Sequence, residues 1–127
     1  MADITTVEGL RVLFDSAAIS AIAGSEGQTG VSGAVIYGLA PEGLRVSEST
    51  DALVQRLRLS SSLAKLTRPD GSPIWVNGKS VSVVREPASL EYAATVHAVV
   101  FAGALEQAVL ETLDDVKQAI NRVGGSL

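Results

Sequence analysis

Two stretches of this sequence carry the same order of residue classes. Ile4-Thr5, Glu8-Gly9, Val12, Phe14-Asp15, Ile19 and Ala21-Ile22 recur as Leu66-Thr67, Asp70-Gly71, Ile74, Val76-Asn77, Val81 and Val83-Val84, a shift of 62 positions (Ile4 to Leu66). Farther along, Ala34-Val35-Ile36-Tyr37 answers to Ala98-Val99-Val100-Phe101, and Val46-Ser47-Glu48-Ser49 answers to Val109-Leu110-Glu111-Thr112. A repeat constrains the fold more than any local signal, because both copies must lay down the same elements and bury the same faces. The pattern predicts an α+β, β-rich architecture: two five-stranded units, each closed by one helix, related by a pseudo-two-fold. The first unit covers residues 1–59 and the second residues 63–127, with Ser60-Ser61-Ser62 as the joint. Identity between the halves is low, and the alternative is a single α+β domain whose halves agree by chance. At 127 residues either arrangement fits one compact body, since a 60-residue unit alone is marginal.

The second copy has the clearer local signals. Ala64-Lys65-Leu66-Thr67-Arg68 alternates apolar and polar, as a half-buried strand does. Pro69-Asp70-Gly71-Ser72 is a turn, Pro fixing φ and Gly taking the positive φ of a reversal. Pro73 to Asn77 returns as a strand, and Asn77-Gly78 is a strong hairpin signal leading into a strand at Ser80 to Arg85. Val96 to Ala102 and Gln107 to Glu111 complete the five. Thr112 then sits where an N-cap belongs, before a helix at Asp114 to Val123 with Leu113, Val116, Ala119, Ile120 and Val123 on one stripe. In the first copy, Ser16 to Ala23 is Ala-rich, but its partner segment is strand-like, so it is assigned as strand. Asp51 to Leu59 is the matching helix. Gly24, Gly27, Gly30 and Gly33 recur every third residue, which marks a loop.

Leu66-Thr67-Arg68-Pro69-Asp70-Gly71, Val76-Asn77, Val81 to Val84, Glu111-Thr112, Asp115-Val116 and Ile120 form an ordered pattern. Over residues 64–123 it resembles the small flagellar FlbD-like family and its uncharacterised relatives. The first half matches only through the repeat, and it has Ile4-Thr5-Thr6 where the family has Leu-Thr-Arg. The resemblance implies a fold and a binding or assembly role, with no catalytic residues to carry over.

Composition and motifs narrow the chemistry. With 10 Lys+Arg against 14 Asp+Glu the net charge is −4, which argues against a nucleic-acid or anionic-membrane partner. The absence of cysteine removes disulfides, thiolate catalysis and cysteine-bound zinc. No apolar run reaches membrane-spanning length, and Met1-Ala2-Asp3 does not open a signal peptide, so the expected setting is soluble, either cytoplasmic or virion. His97, the only imidazole, lies in an apolar strand with no flagged partner. Gly24–Gly33 lacks the Lys-Ser/Thr of a phosphate loop. Glu48 and Glu111 are carboxylates at matching strand–helix junctions, and Asp114-Asp115 suits a helix N-terminus. A metal, cofactor or catalytic site is therefore not assigned.

What remains is an interaction protein. Trp75 alternates with Ile74 and Val76, so if those face the core it is partly exposed, as binding hot spots often are. Trp75, Arg68 and Asn77 are the candidate interaction residues. The leading expectation is a non-catalytic structural or assembly protein, a homo-oligomer or part of a larger assembly such as a bacteriophage virion. The alternatives are a cytoplasmic regulatory module of the flagellar-relative type and a small-ligand binder using Gly24–Gly33 as a lid.

Overall fold

The structure, a computed structural model, describes residues 2–24, 33–40, 43–89 and 91–127. Among these residues are ten strands and two helices: β1 (Ala2–Thr5), β2 (Arg11–Phe14), β3 (Ala21–Gly24), β4 (Ala34–Tyr37), β5 (Leu44–Val46), α1 (Thr50–Arg56), β6 (Leu63–Thr67), β7 (Pro73–Asn77), β8 (Val81–Arg85), β9 (Ala98–Ala102), β10 (Leu105–Val109) and α2 (Leu113–Arg122). Short 3-10 turns separate β2 from β3 (Ser16–Ala18) and β7 from β8 (Gly78–Ser80). The chain is thus β-rich α+β, and the element order of its first half recurs in its second.

The strand registers recur as well. Ala2↔Phe14 through Thr5↔Arg11 in β1–β2 become Ala64↔Val76 through Thr67↔Pro73 in β6–β7. Ala21↔Tyr37, Ile22↔Ile36 and Ala23↔Val35 in β3–β4 become Val83↔Phe101, Val84↔Val100 and Arg85↔Val99 in β8–β9. Ala34↔Val46 in β4–β5 becomes Ala98↔Val109 in β9–β10. The caps match too. Asp15 and Asn77 each accept a hydrogen bond from the N–H two residues on, and Ser49 and Thr112 from the N–H three residues on.

The sheets do not respect the halves. One runs β5-β4-β3-β7-β6 and takes strands from both; β10-β9-β8 and β1-β2 are separate. The free edge of β5 turns back to β1 through the Thr6↔Val46 bridge, and Leu110 N–H donates to the Thr67 carbonyl, tying the end of β10 to β6. The antiparallel β3–β7 pair is the seam of the molecule, and the β8–β2 pair that a two-fold would add is not formed among the described residues.

Two hydrophobic cores lie on either side of the seam. The first gathers Ile4, Phe14, Ile22, Ile36, Leu53 and neighbours, with Leu63 from the second half. The second gathers Leu66, Ile74, Val100, Val116, Ile120 and neighbours, with Ala21 and Ala23 from the first half. Alternation along β3 explains the sharing: Ile22 points one way and its flanking alanines the other.

Two sequence expectations are corrected here. Asn77-Gly78 does not turn a hairpin between β7 and β8; it starts a 3-10 turn, and those strands lie in different sheets. Asn77 is buried and spends its amide on Lys79 N–H and the Ile19 carbonyl, while Gly78 passes so close to α2 that a Cβ there would sit 2.8 Å from the Ile120 carbonyl oxygen. Ser16 to Ala23 is likewise not all strand: Asp15 caps a 3-10 turn over Ser16–Ala18, and strand begins at Ala21. Elsewhere boundaries move by one to three residues, the largest shift being the end of α1 at Arg56 instead of Leu59, and the Pro69–Ser72 turn is present with Gly71 at φ 88°.

Candidate interaction surface

All three sequence candidates fall on the seam. Asn77 Nδ2 donates to the Ile19 carbonyl at 2.7 Å, and Asn77 N–H to the Ser20 carbonyl at 2.9 Å. Arg68 donates to the Gly24 carbonyl at 2.9 Å and to Ser72 Oγ at 2.8 Å. Ser72 in turn hydrogen-bonds Asp70, whose carboxyl is held below its ordinary range by the Ser72 hydroxyl and N–H. Ile74 and Val76 are buried in the second core, and Trp75 points the other way, as alternation requires. That other face is partly exposed and partly covered by the first core. Trp75 packs half-buried against the first core, with Lys65 Nζ 5.6 Å from its ring centre and its indole N–H buried without a hydrogen-bond partner among the described residues. These residues join the halves to each other.

The exposed apolar side chains lie elsewhere. Val7 and Leu10 flank the turn between β1 and β2, and Leu13 in the middle of β2 is 60% exposed. Its neighbours Val12 and Phe14 pack into the first core, so Leu13 necessarily faces out. Among the described residues β2 pairs with β1 alone and β8 with β9 alone, leaving one edge of each strand unpaired. Val83 in β8 is 48% exposed. These two sheet-terminal strands, one from each half of the chain, therefore each combine an unpaired edge with an exposed apolar side chain. Their signal was in the sequence: the alternation that drew attention to Trp75 also singles out Leu13 between Val12 and Phe14.

Charge organises the far end of β8. Arg85 forks onto Glu91, both contacts at 2.8 Å, and its guanidinium lies 5.5 Å from the Phe101 ring centre. These bonds from Arg85, with the Ala88 N–H, hold the Glu91 carboxyl down at about 2.

The remaining polar candidates are engaged in structure. Glu111 accepts from Thr67 N–H and Oγ1, both at 2.9 Å, and fastens β6 to the start of α2. Glu48 forks onto Arg56 at 2.9 and 2.7 Å, which raises the Arg56 pKa. His97 is exposed, with Nδ1 2.9 Å from the Leu110 carbonyl oxygen. Asp114 and Asp115 lie in the first turn of α2. An open hollow of about 560 Å³ is lined by Asp3, Asp15, Ser16, Arg56 and Arg58 among others. Among the described residues no group of three His, Asp or Glu side chains is placed to hold a metal ion, and no helix is long and apolar enough to cross a membrane. Most of the Gly24–Gly33 loop lies outside the described residues.

No protein-family model, no curated protein and no solved structure matches this chain.

Proposed function

We propose that the chain is a non-catalytic assembly protein, built from two copies of one β5-α unit, that works through protein–protein contacts along its open strand edges. The pair-for-pair agreement of registers in the two halves supports the duplication. The observation that carries the functional reading is the exposed apolar side chain on each of two unpaired strand edges, Leu13 on β2 and Val83 on β8. An open edge presents a row of free N–H and C=O groups, and natural proteins blunt such edges with charge, proline or bulges unless a neighbour is meant to pair there. Here β2 is short and carries Arg11 at its start, and β8 has a register shift between Val81 and Val83 and ends in Arg85, yet the middle of each strand keeps an exposed apolar side chain. Strand addition supplies affinity through main-chain bonds and specificity through alternate side chains.

Light scattering of the purified chain over a dilution series tests the reading. The expected result is a mass above 13.1 kDa that falls toward the monomer when Leu13→Glu places a charge on the β2 edge. A monomer at every concentration, unchanged by that substitution, overturns it.

A further inference from the structure

Resting on that assembly reading, we infer that the occupant of the open β8 edge is the β2 strand of a second copy of this chain, paired head to tail. The template is the seam already inside the molecule. There β3 of the first half pairs antiparallel with β7 of the second, in the register Ala21↔Val76, Ile22↔Trp75 and Ala23↔Ile74. Carrying each strand to its counterpart in the other half turns β3 into β8 and β7 into β2. The sheet β5-β4-β3-β7-β6 then becomes β10-β9-β8-β2-β1. Both pieces of that second sheet exist, β10-β9-β8 and β1-β2, and only the β8–β2 join is missing.

The repeat shift gives the register of the missing join: Val83↔Phe14, Val84↔Leu13 and Arg85↔Val12. Within the chain, Trp75 on β7 leaves its own half and packs on the core of the other. Its counterpart is Leu13, now 60% exposed. Across the join, Leu13 would cover the second core of the neighbouring copy beside Val84, which is only partly buried there. Ala21, on the opposite face of β3, enters the other half's core, and its counterpart Val83 is the other exposed apolar side chain of the two edges. So the two apolar side chains left exposed on these strands are the counterparts of ones that the internal seam covers.

The contact is heterologous, because it joins different strands of successive copies, and such contacts close into a ring or run on as a filament. It is also weaker than its template in two places. Asn77 Nδ2 donates across the seam to the Ile19 carbonyl, whereas its counterpart Asp15 has no donor to offer the Val81 carbonyl. Arg85, engaged with Glu91, stands where the seam has the small Ala23. The junction between copies is therefore reversible on dilution, while the seam is permanent.

The chain has no cysteine, so Leu13→Cys and Val84→Cys, made as two separate full-length variants, place one thiol on each edge. Directly paired residues in an antiparallel ladder stand about 5.5 Å apart or closer between Cα atoms, within disulfide reach. On mixing under a mild oxidant the two variants are expected to form a covalent dimer, and neither is expected to do so alone. A disulfide between two Leu13→Cys chains overturns the β8–β2 pairing. So does no disulfide in samples that light scattering shows to be associated, and the assembly reading then survives. Monomers without a disulfide at every concentration overturn both. As a second variant, Asp15→Asn restores the missing donor while keeping its oxygen for the Ala17 N–H. It is expected to lower the concentration of half-association roughly fivefold, and an unchanged concentration counts against the register.

Discussion

Trp75 places the one indole of the chain across the seam, with its N–H buried and without a partner among the described residues. A buried donor without a partner costs about 1–3 kcal/mol, while the ring that carries it contributes by packing. The two effects separate by substitution. Trp75→Phe keeps much of the apolar contact and removes the orphan donor, so its cost is expected to stay below about 1 kcal/mol. Trp75→Ala empties the site and is expected to cost about 3 kcal/mol. Urea unfolding followed by circular dichroism measures both, and a Phe variant as unstable as the Ala variant would show that the N–H is bonded after all. At this scale the sequence was only half informative. Alternation put Trp75 opposite Ile74 and Val76, but residue order holds no record of a second core on that opposite side.

The 3-10 turns matter most at the scale of elements, because they send β2 and β3, and again β7 and β8, into different sheets. Gly78 allows this by letting the backbone approach α2. An added Cβ would meet Val123 Cγ2 at 2.7 Å and the carbonyl oxygens of Ile120 and Val123 at 2.8 Å, and a carbonyl cannot swing aside as a side chain can. Gly78→Ala is expected to cost about 1–3 kcal/mol through this crowding. It would appear as a lower urea midpoint at unchanged slope, and an unchanged midpoint would mean that α2 yields freely. The hairpin expected at Asn77-Gly78 failed for the same reason. Asn-Gly favours a two-residue reversal when nothing competes, but here Asn77 is drawn to the Ile19 carbonyl 58 positions away. The helix N-caps were legible because Ser49 and Thr112 bond only three residues ahead.

For the whole molecule, the shared strands decide cooperativity. The first core takes Leu63 and Trp75 from the second half, and the second takes Ala21 and Ala23 from the first. Neither core is complete without the other half, and each half is near the lower limit for independent folding. Unfolding is therefore expected as one transition, with the fluorescence of Trp75 and the far-ultraviolet dichroism of all strands coinciding. Two separated transitions would show that the halves are independent domains joined by a weak seam. The same sharing argues that edge pairing is how this chain joins β-units.

Taken alone, the sequence determined what lies within a few residues along the chain. Alternation marked β6 and β7, Pro69–Ser72 marked a turn, and the pattern of short apolar runs and turns marked a β-rich α+β chain ending in a helix. Such features depend on backbone stereochemistry and on bonds to near neighbours. The tertiary structure alone decided which edges meet: β7 with β3 across the halves, the outer edges of β2 and β8 with nothing among the described residues, and Leu13 more exposed than the half-buried Trp75. The physical reason is that a strand's alternation specifies which side chains are to be buried but not which strand will lie beside it. Backbone edges are chemically alike, and the choice among them rests on contacts made only after the chain has folded.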